Sequence, residues 1–440
     1  MKILVTGLCT LHWGRLEYGN IGNYYIVEPT FRELHRVFPD AEILTTFQMT
    51  KEFEGRYNIR ILPMDWYYGW QFDDISNAYR DFGMAEYFAQ TGTLPSLSEF
   101  LRTFNECDLV LNVSGEMWGD HADPVGEGRF LVNLLRDRAV QLMGVPTVLF
   151  ASSQGPFNNI ATRAFAQLVY ENYNVVMARE PYTIEKTMSH GFDMSNTKLY
   201  ACPAFLFEPS EEKEAQSILV KEGLLCPDDT RPLVGFTICG FNFMNQPYDK
   251  WPRLDDEFIP WAELVEELVG KLKVKLVFFS HTNAFDLPPD FYLKPGRDYI
   301  ILKRLYEIIL KRGILKDDDI TCMTGSCLPA QTKAILGKMD MVVSGRAHAA
   351  VAAISQNVPA VFISYKKELG NSKTLGFAQL AKMGDFVVAS ENMDDIFRVC
   401  KECWDKRSWV KTQLKADIPK VKQMAIQAFD DLVSIAEGRK

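Results

Sequence analysis

The chain has 440 residues, 47% hydrophobic and 24% charged, which bounds it to a globular protein of two or three domains. Its net charge of −9 and the lack of a Lys/Arg-rich block exclude a general nucleic-acid binder and leave only local basic pockets. No apolar run is long enough to span a bilayer, and residues 1–10 read as a first strand, not a signal peptide, so the nine scattered cysteines are expected to be reduced in the cytosol.

In chain order, short apolar runs at 2–6, 42–46, 109–113, 147–152, 175–178 and 198–201 predict strands. Helical patterns at 24–37, 129–143, 160–172 and 181–190 fit between them. This is the βαβ alternation of a parallel sheet covered on both faces. A polar, acidic stretch at 208–231 interrupts it, and the alternation restarts with 233–238, 274–280, 320–323, 341–343, 360–363 and 386–388. We therefore expect an α/β fold of two Rossmann-like domains, 1–207 and 232–390, facing a cleft, with 208–231 as a linker region. Residues 391–440 read as C-terminal helices; the last is amphipathic, with Leu414, Ile418, Val421, Leu432 and Ile435 on one face. In that frame the first half suits an acceptor and the second an anionic donor.

The most informative segment is Gly345-Arg346-Ala347-His348, between an apolar strand pattern and an Ala-rich helix pattern. A strand, a Gly turn and a helix start bring both cationic side chains to the carboxyl edge of a sheet, where open α/β folds bind ligands. Arg offers a bidentate fork for phosphate or carboxylate, the helix start offers backbone N–H groups, and His passes protons near neutral pH. The alternative is that Arg346 pairs with an acidic neighbour and His348 caps the helix. Lys366, after the next strand, is expected to complete the anion site, although a solvated basic pair with Lys367 is the commoner outcome.

Four further loops follow strands. Gly19-Asn20-Ile21-Gly22-Asn23 precedes the first helix, where Asn20 and Asn23 can cap the helix or bond a sugar hydroxyl, and a plain turn is equally consistent. It is not GxGxxG, which excludes a dinucleotide fingerprint. Ser114-Gly115-Glu116-Met117-Trp118-Gly119-Asp120 offers Glu116 and Asp120 as base or hydroxyl-orienting groups and Trp118 as a sugar-stacking face. Gln154-Gly155-Pro156 is expected to line the cleft. Arg179 ends another strand, with a surface pairing to Glu180 as the alternative. The aromatic stretch at 65–70 reads as packing. His121 and Asp123 are too few for a metal centre, and Cys400-Lys-Glu-Cys403 is a lone CxxC, so no metal is expected.

Taken in order, Gly19-Asn20-Ile21-Gly22, Ser114-Gly115, Gln154-Gly155-Pro156, Ala178-Arg179-Glu180, Pro203-Ala204-Phe205, Ser344-Gly345-Arg346-Ala347-His348 and Val358 to Lys366 make the chain resemble the polysaccharide pyruvyl transferase family. The resemblance implies a fold similar to GT-B glycosyltransferases and transfer of pyruvate from phosphoenolpyruvate, as co-substrate, onto sugar hydroxyls as a ketal. It implies His348 as the acid for the donor's methylene carbon and Arg346 for its phosphate or carboxylate. The implied partners are a small anionic donor and a glycan or lipid-linked glycan precursor of a surface polysaccharide, with no nucleic acid, metal or redox cofactor. A lipid-linked acceptor would bring peripheral contact with the inner face of the membrane; no motif fixes an oligomeric state. Three positions depart from the pattern: Asn23, Glu180 and Cys202 stand where the family usually has Asp. An amide at 23 orients a hydroxyl but cannot deprotonate it, which passes that role to Glu116 or Asp120. The rival readings are a glycosyltransferase whose Arg346 and Lys366 hold a nucleotide-sugar diphosphate, and a non-catalytic glycan-binding relative.

Overall fold

Runs of buried apolar residues give the first sheet its strands: β1 (Lys2–Thr6), β2 (Glu42–Thr45), β3 (Ile59–Ile61), β4 (Leu109–Asn112), β5 (Thr147–Ser152), β6 (Val175–Ala178) and β7 (Thr197–Leu199). They pair in the order β3-β2-β1-β4-β5-β6-β7, every neighbour parallel. The structure, a computed structural model, describes residues 1–9, 16–93, 98–126, 128–225, 229–243, 251–286, 292–365 and 372–437. The chain divides into two units: Met1–Glu17, Ile26–Pro203 and Met424–Lys440 form the first, and Tyr18–Tyr25 with Ala204–Gln423 the second.

The second unit carries β8 (Leu233–Thr237), β9 (Lys275–Phe278), an antiparallel hairpin β10 (Asn283–Phe285) and β11 (Leu293–Pro295), then β12 (Ile320–Cys322), β13 (Met341–Ser344), β14 (Ala360–Ser364) and β15 (Val387–Ala389). Its main sheet runs β12-β9-β8-β13-β14-β15, again all parallel. Within each sheet the first strand is the point where the winding reverses, between β1 and β4 and between β8 and β13. Both sheets are therefore doubly wound, and each has one switch point where the loops at the carboxyl ends diverge and leave room for a ligand.

The expected strands of both sheets are present. Strand β3, the hairpin β10–β11 and the helix Asp74–Thr91 were not anticipated, because short or mixed runs carry little periodicity. The stretch 208–231, read as a linker, holds a helix at Glu212–Lys221 that buries Ala215 and Leu219 and belongs to the second unit. The terminal helix Arg407–Glu437 starts in the second unit and contributes its end, from Met424, to the first. No helix among the described residues is long and apolar enough to cross a membrane.

Trp118 organises the first unit's core and does not stack on a sugar. It is fully buried, with the rings of Phe130, Tyr170, Phe157, Tyr173 and Phe192 at 5.5, 5.7, 5.9, 6.3 and 6.4 Å, and its Nε1 donates to Tyr173 Oη at 3.3 Å. Under it, the Asp137 carboxylate accepts from Tyr67, Tyr173, Asn112 and Asn133, which satisfies a buried acid whose burial pushes its pKa up to about 6. The aromatic stretch at 65–70 packs here too, with Tyr67 and Tyr68 buried and Trp70 4.6 Å from the Arg129 guanidinium. Trp118→Ala is expected to cost about 3–5 kcal/mol of stability in denaturant titration with an unchanged slope; a loss below about 1 kcal/mol would contradict this packing role.

Candidate functional site at the second switch point

Thr237 ends β8 opposite Ser344 of β13, and the Gly345 N–H continues the ladder by donating to Thr237 O at 2.7 Å. Gly345-Arg346-Ala347-His348 thus begins where the second sheet reverses. Gly345 is required by close packing: a Cβ there would run into the Asn242 side chain. Asn242 is itself fixed because its Oδ1 accepts from Cys239 N at 2.9 Å in the turn after β8. Arg346 is the N-cap of the helix Ala347–Ile354, and its N–H donates to Ser344 Oγ at 3.1 Å.

The Arg346 side chain is 11% exposed and lies against Asp298, which is fully buried. Nη2 donates to Oδ1 at 2.5 Å and Nε to Oδ2 at 3.1 Å. Burial opposes the charge, but the Asp298 carboxylate outweighs it and holds the guanidinium well above its usual range. Arg346 is therefore not an isolated cation; the acidic-neighbour alternative is present, supplied by a residue that sequence analysis had not singled out. Two of its five N–H donors are committed to Asp298, which leaves three. His281 N also donates to Asp298 Oδ2, at 3.3 Å. The His281 imidazole is buried, and burial with the nearby Arg346 charge pushes it down to about 3, so it is neutral.

His348 is partly exposed, with the Phe377 ring 5.4 Å from its own. On its other side is the Gly19–Asn23 turn: a Cβ built on Gly22 would stand 2.8 Å from His348 Nδ1. Asn20 and Asn23 are partly exposed there. They belong to the second unit, which corrects the expectation that this motif sits with the first half. The physical reason is local pairing: Asn20 forms an antiparallel bridge with Thr282, and Asn283 N donates to Gly19 O at 2.8 Å.

Lys373 is a residue the sequence did not flag. It lies in the helix Ser372–Leu380, four positions before Phe377 and hence on the same face, and its ammonium is 5.5 Å from the Tyr365 ring centre. Desolvation among these rings pushes it down to about 7. Tyr365 in turn interacts with both Arg346 and Cys239. Lys366 lies outside the described residues.

The remaining expected residues belong to the first unit. Gly115, with φ +60°, follows β4 at that sheet's switch point; a Cβ there would be 3.9 Å from Arg179 Nη1. Glu116, half-buried, is next in this loop, and Ser153 N donates to Gly115 O at 2.8 Å. Arg179 is buried and donates from Nε to Ser153 Oγ at 2.7 Å, while Glu180, also buried, caps the next helix by accepting from Thr183 N at 3.0 Å. In place of the alternative surface pairing, the two are buried and linked through Ser153, whose Oγ also donates to Glu180 Oε1 at 3.2 Å. Gln154 is buried with Nε2 3.5 Å from Ser152 O, and its Oε1 has no hydrogen-bond partner. Asp120 does not join this group. Its carboxylate accepts from Asn158 N at 2.5 Å and Asn159 N at 3.3 Å, a structural clamp. Asp123 accepts from Phe130 N at 3.0 Å, and among the described residues no three His, Cys, Asp or Glu side chains gather as a metal site would require.

Two doubly wound sheets of this kind define the GT-B class. The fold is similar over 99% of this chain and 98% of the other to a glycosyltransferase from Rickettsia africae (TM-score 0.58, 11% identity). It is similar over 99% of this chain and 100% of the other to Anabaena Alr3699/HepE in complex with UDP and glucose (TM-score 0.55, 13% identity). A UDP-GlcNAc 2-epimerase from Neisseria meningitidis aligns over 100% of both chains (TM-score 0.54, 10% identity). No curated protein matches the chain in sequence. The profile of the polysaccharide pyruvyl transferases matches residues 20–367, and the chain belongs to that family.

The tight seat of Gly22 makes a direct test of the site's construction. Gly22→Ala is expected to cost about 1–3 kcal/mol through overpacking and to shift the His348 imidazole resonances in an NMR spectrum. Unchanged resonances would show that the turn does not press on His348.

Proposed function

We propose that the protein transfers the enolpyruvyl carbons of phosphoenolpyruvate to two hydroxyls of a glycan or lipid-linked glycan precursor, leaving a pyruvate ketal. One observation supports this most: within a pyruvyl transferase family, Arg346 and His348 follow β13 at the sheet's switch point, and Lys373 lies 5.5 Å from the ring of Tyr365, which follows the neighbouring strand β14. In this reading a proton from His348 adds to the donor's methylene carbon and leaves C2 electron-poor. A sugar hydroxyl oxygen bonds to C2 and its proton restores His348. The C2–O bond to phosphate then breaks with its electron pair on phosphate, and a second hydroxyl adds to C2 and gives its proton to the departing phosphate, which closes the ketal.

The three Arg346 N–H groups not committed to Asp298 suit the donor's carboxylate or phosphate, and Lys373 suits the departing phosphate. Asn20 and Asn23 offer amides beside His348 for orienting a hydroxyl. In the first unit, Glu116 is half-buried in the loop after β4, whereas Gln154 and Arg179 are buried and the Asp120 carboxylate is spent on the Asn158 and Asn159 backbone, so we assign none of the latter three a contact with substrate.

Incubation with phosphoenolpyruvate and candidate glycans is expected to release phosphate and add the mass of a pyruvate ketal to the acceptor. His348→Ala should lower this rate by about 10²–10⁴-fold. Thermal stabilisation by a nucleotide sugar, with none by phosphoenolpyruvate, would overturn the assignment in favour of glycosyl transfer.

Lys373 gives the reaction a pH signature. Its charge is present below about 7 and lost above it, so kcat/KM for phosphoenolpyruvate is expected to fall as pH rises through that range. Lys373→Arg, which stays charged, should move the descending limb to higher pH. A limb at the same pH in both proteins would remove Lys373 from donor binding.

A further inference from the structure

We propose that Asp298 is the positioning residue of this site: it sets the Arg346 fork and, through Thr282, locks the Asn20–Asn23 turn beside His348. The inference rests on the donor role of Arg346 proposed above and adds a residue that none of the family's motifs contains. Asp298 stands in the first turn of the helix Arg297–Arg312, far in sequence from either motif it joins.

The connections form a closed circuit within the second unit. Asp298 accepts both bonds from the Arg346 side chain. Its own N–H donates to Thr282 Oγ1 at 3.2 Å. Thr282 bridges to Asn20, and the next residue, Asn283, donates to Gly19 O at 2.8 Å. Three residues on from Gly19, Gly22 presses on the His348 imidazole, which lies two residues from Arg346. A Cβ on Gly296 would collide with Thr282 O, so the helix start and the Thr282 segment are in direct backbone contact.

Chemistry explains why an acid is needed at the centre. Burying a guanidinium to 11% exposure is costly without a counter-charge, and a bidentate carboxylate both offsets that cost and fixes its plane. A neutral residue at 298 would leave Arg346 to swing or to lose its ordered seat. The backbone N–H of residue 298 would still reach Thr282 Oγ1, but His281 N, next to Thr282, would lose the Oδ2 acceptor it now holds at 3.3 Å. Asp298 touches no reacting atom in this scheme; it acts through Arg346 and the turn.

A double-mutant cycle separates positioning from a general structural effect. The kcat/KM for phosphoenolpyruvate is measured for the full-length wild type, Asp298→Ala, Arg346→Ala and the double variant, with phosphoenolpyruvate binding followed by calorimetry. If Asp298 acts through Arg346, each single change lowers kcat/KM by about a hundredfold and the double loses no more than about threefold beyond either. Losses that multiply to about 10⁴ in the double variant would overturn the proposal. Asp298→Asn, which keeps shape and an acceptor, guards against a folding failure of the alanine variant. It is expected to recover binding part-way and to raise KM more than it lowers kcat, and wild-type constants in Asp298→Asn would overturn the proposal. A wild type that neither binds phosphoenolpyruvate nor transfers pyruvate defeats the function itself and this inference with it, whereas an active wild type with an additive cycle defeats only the inference.

Discussion

The buried pair between Arg346 and Asp298 is the constraint around which the second unit's site is arranged. A guanidinium in this position is costly without a counter-charge, and removing one partner of such a pair typically costs about 3–5 kcal/mol. The pair is close to neutral as a whole, so it does not simply attract anions as an isolated arginine would. It offers instead a fixed row of N–H donors whose direction is set by Asp298. His281 beside it stays neutral because burial and the Arg346 charge both disfavour its proton. His281 therefore adds no second charge beside the Arg346–Asp298 pair.

The two sheets repeat one topology but arrange their switch points differently. In the second unit the arginine after the central strand keeps part of its surface open and has a carboxylate as its partner. In the first unit Arg179 is fully buried and bonds to a hydroxyl, while Glu180 is turned into a helix cap and pushed up in pKa by burial. The same strand-then-arginine signal therefore leads to an accessible fork in one case and to a sequestered one in the other. Sequence shows the arginine in both places; only the packing around it decides its availability.

That contrast marks what was legible beforehand. Parallel strands buried on both faces read as apolar runs, so the strands of both sheets other than β3 and their parallel βαβ alternation followed from chain pattern. The carboxyl-edge location of Arg346 and His348 followed from the same reasoning. The roles of Trp118 and Asp120 did not, because a Gly-rich loop looks alike whether its side chains face solvent or turn back into the core. Asp298 was silent because its tie to Arg346 spans 48 residues and no local spacing encodes it. Lys373 was silent because an isolated lysine after Asn-Ser reads as a solvated surface group, and its environment comes from Tyr365 and Phe377. The Gly19–Asn23 turn was placed with the wrong half for a similar reason: its bridge to Thr282 is non-local, while chain order puts it after β1.

The three departures from the family pattern carry different weight once their surroundings are known. Glu180 caps a helix with a carboxylate, a task Asp also performs, and it is buried away from solvent. Cys202 is fully buried near Cys9, whose thiol burial pushes up to about 12. Asn23 is the exception, since it lies in the turn that seats His348 and is partly exposed there. An aspartate at that point would add a negative charge next to the imidazole and could take a proton from a hydroxyl. An asparagine keeps the hydrogen-bonding shape and removes both effects. Asn23 adjoins Gly22, which packs against His348, so of the three departures it is the one that removes a charge from the segment seating the proposed acid.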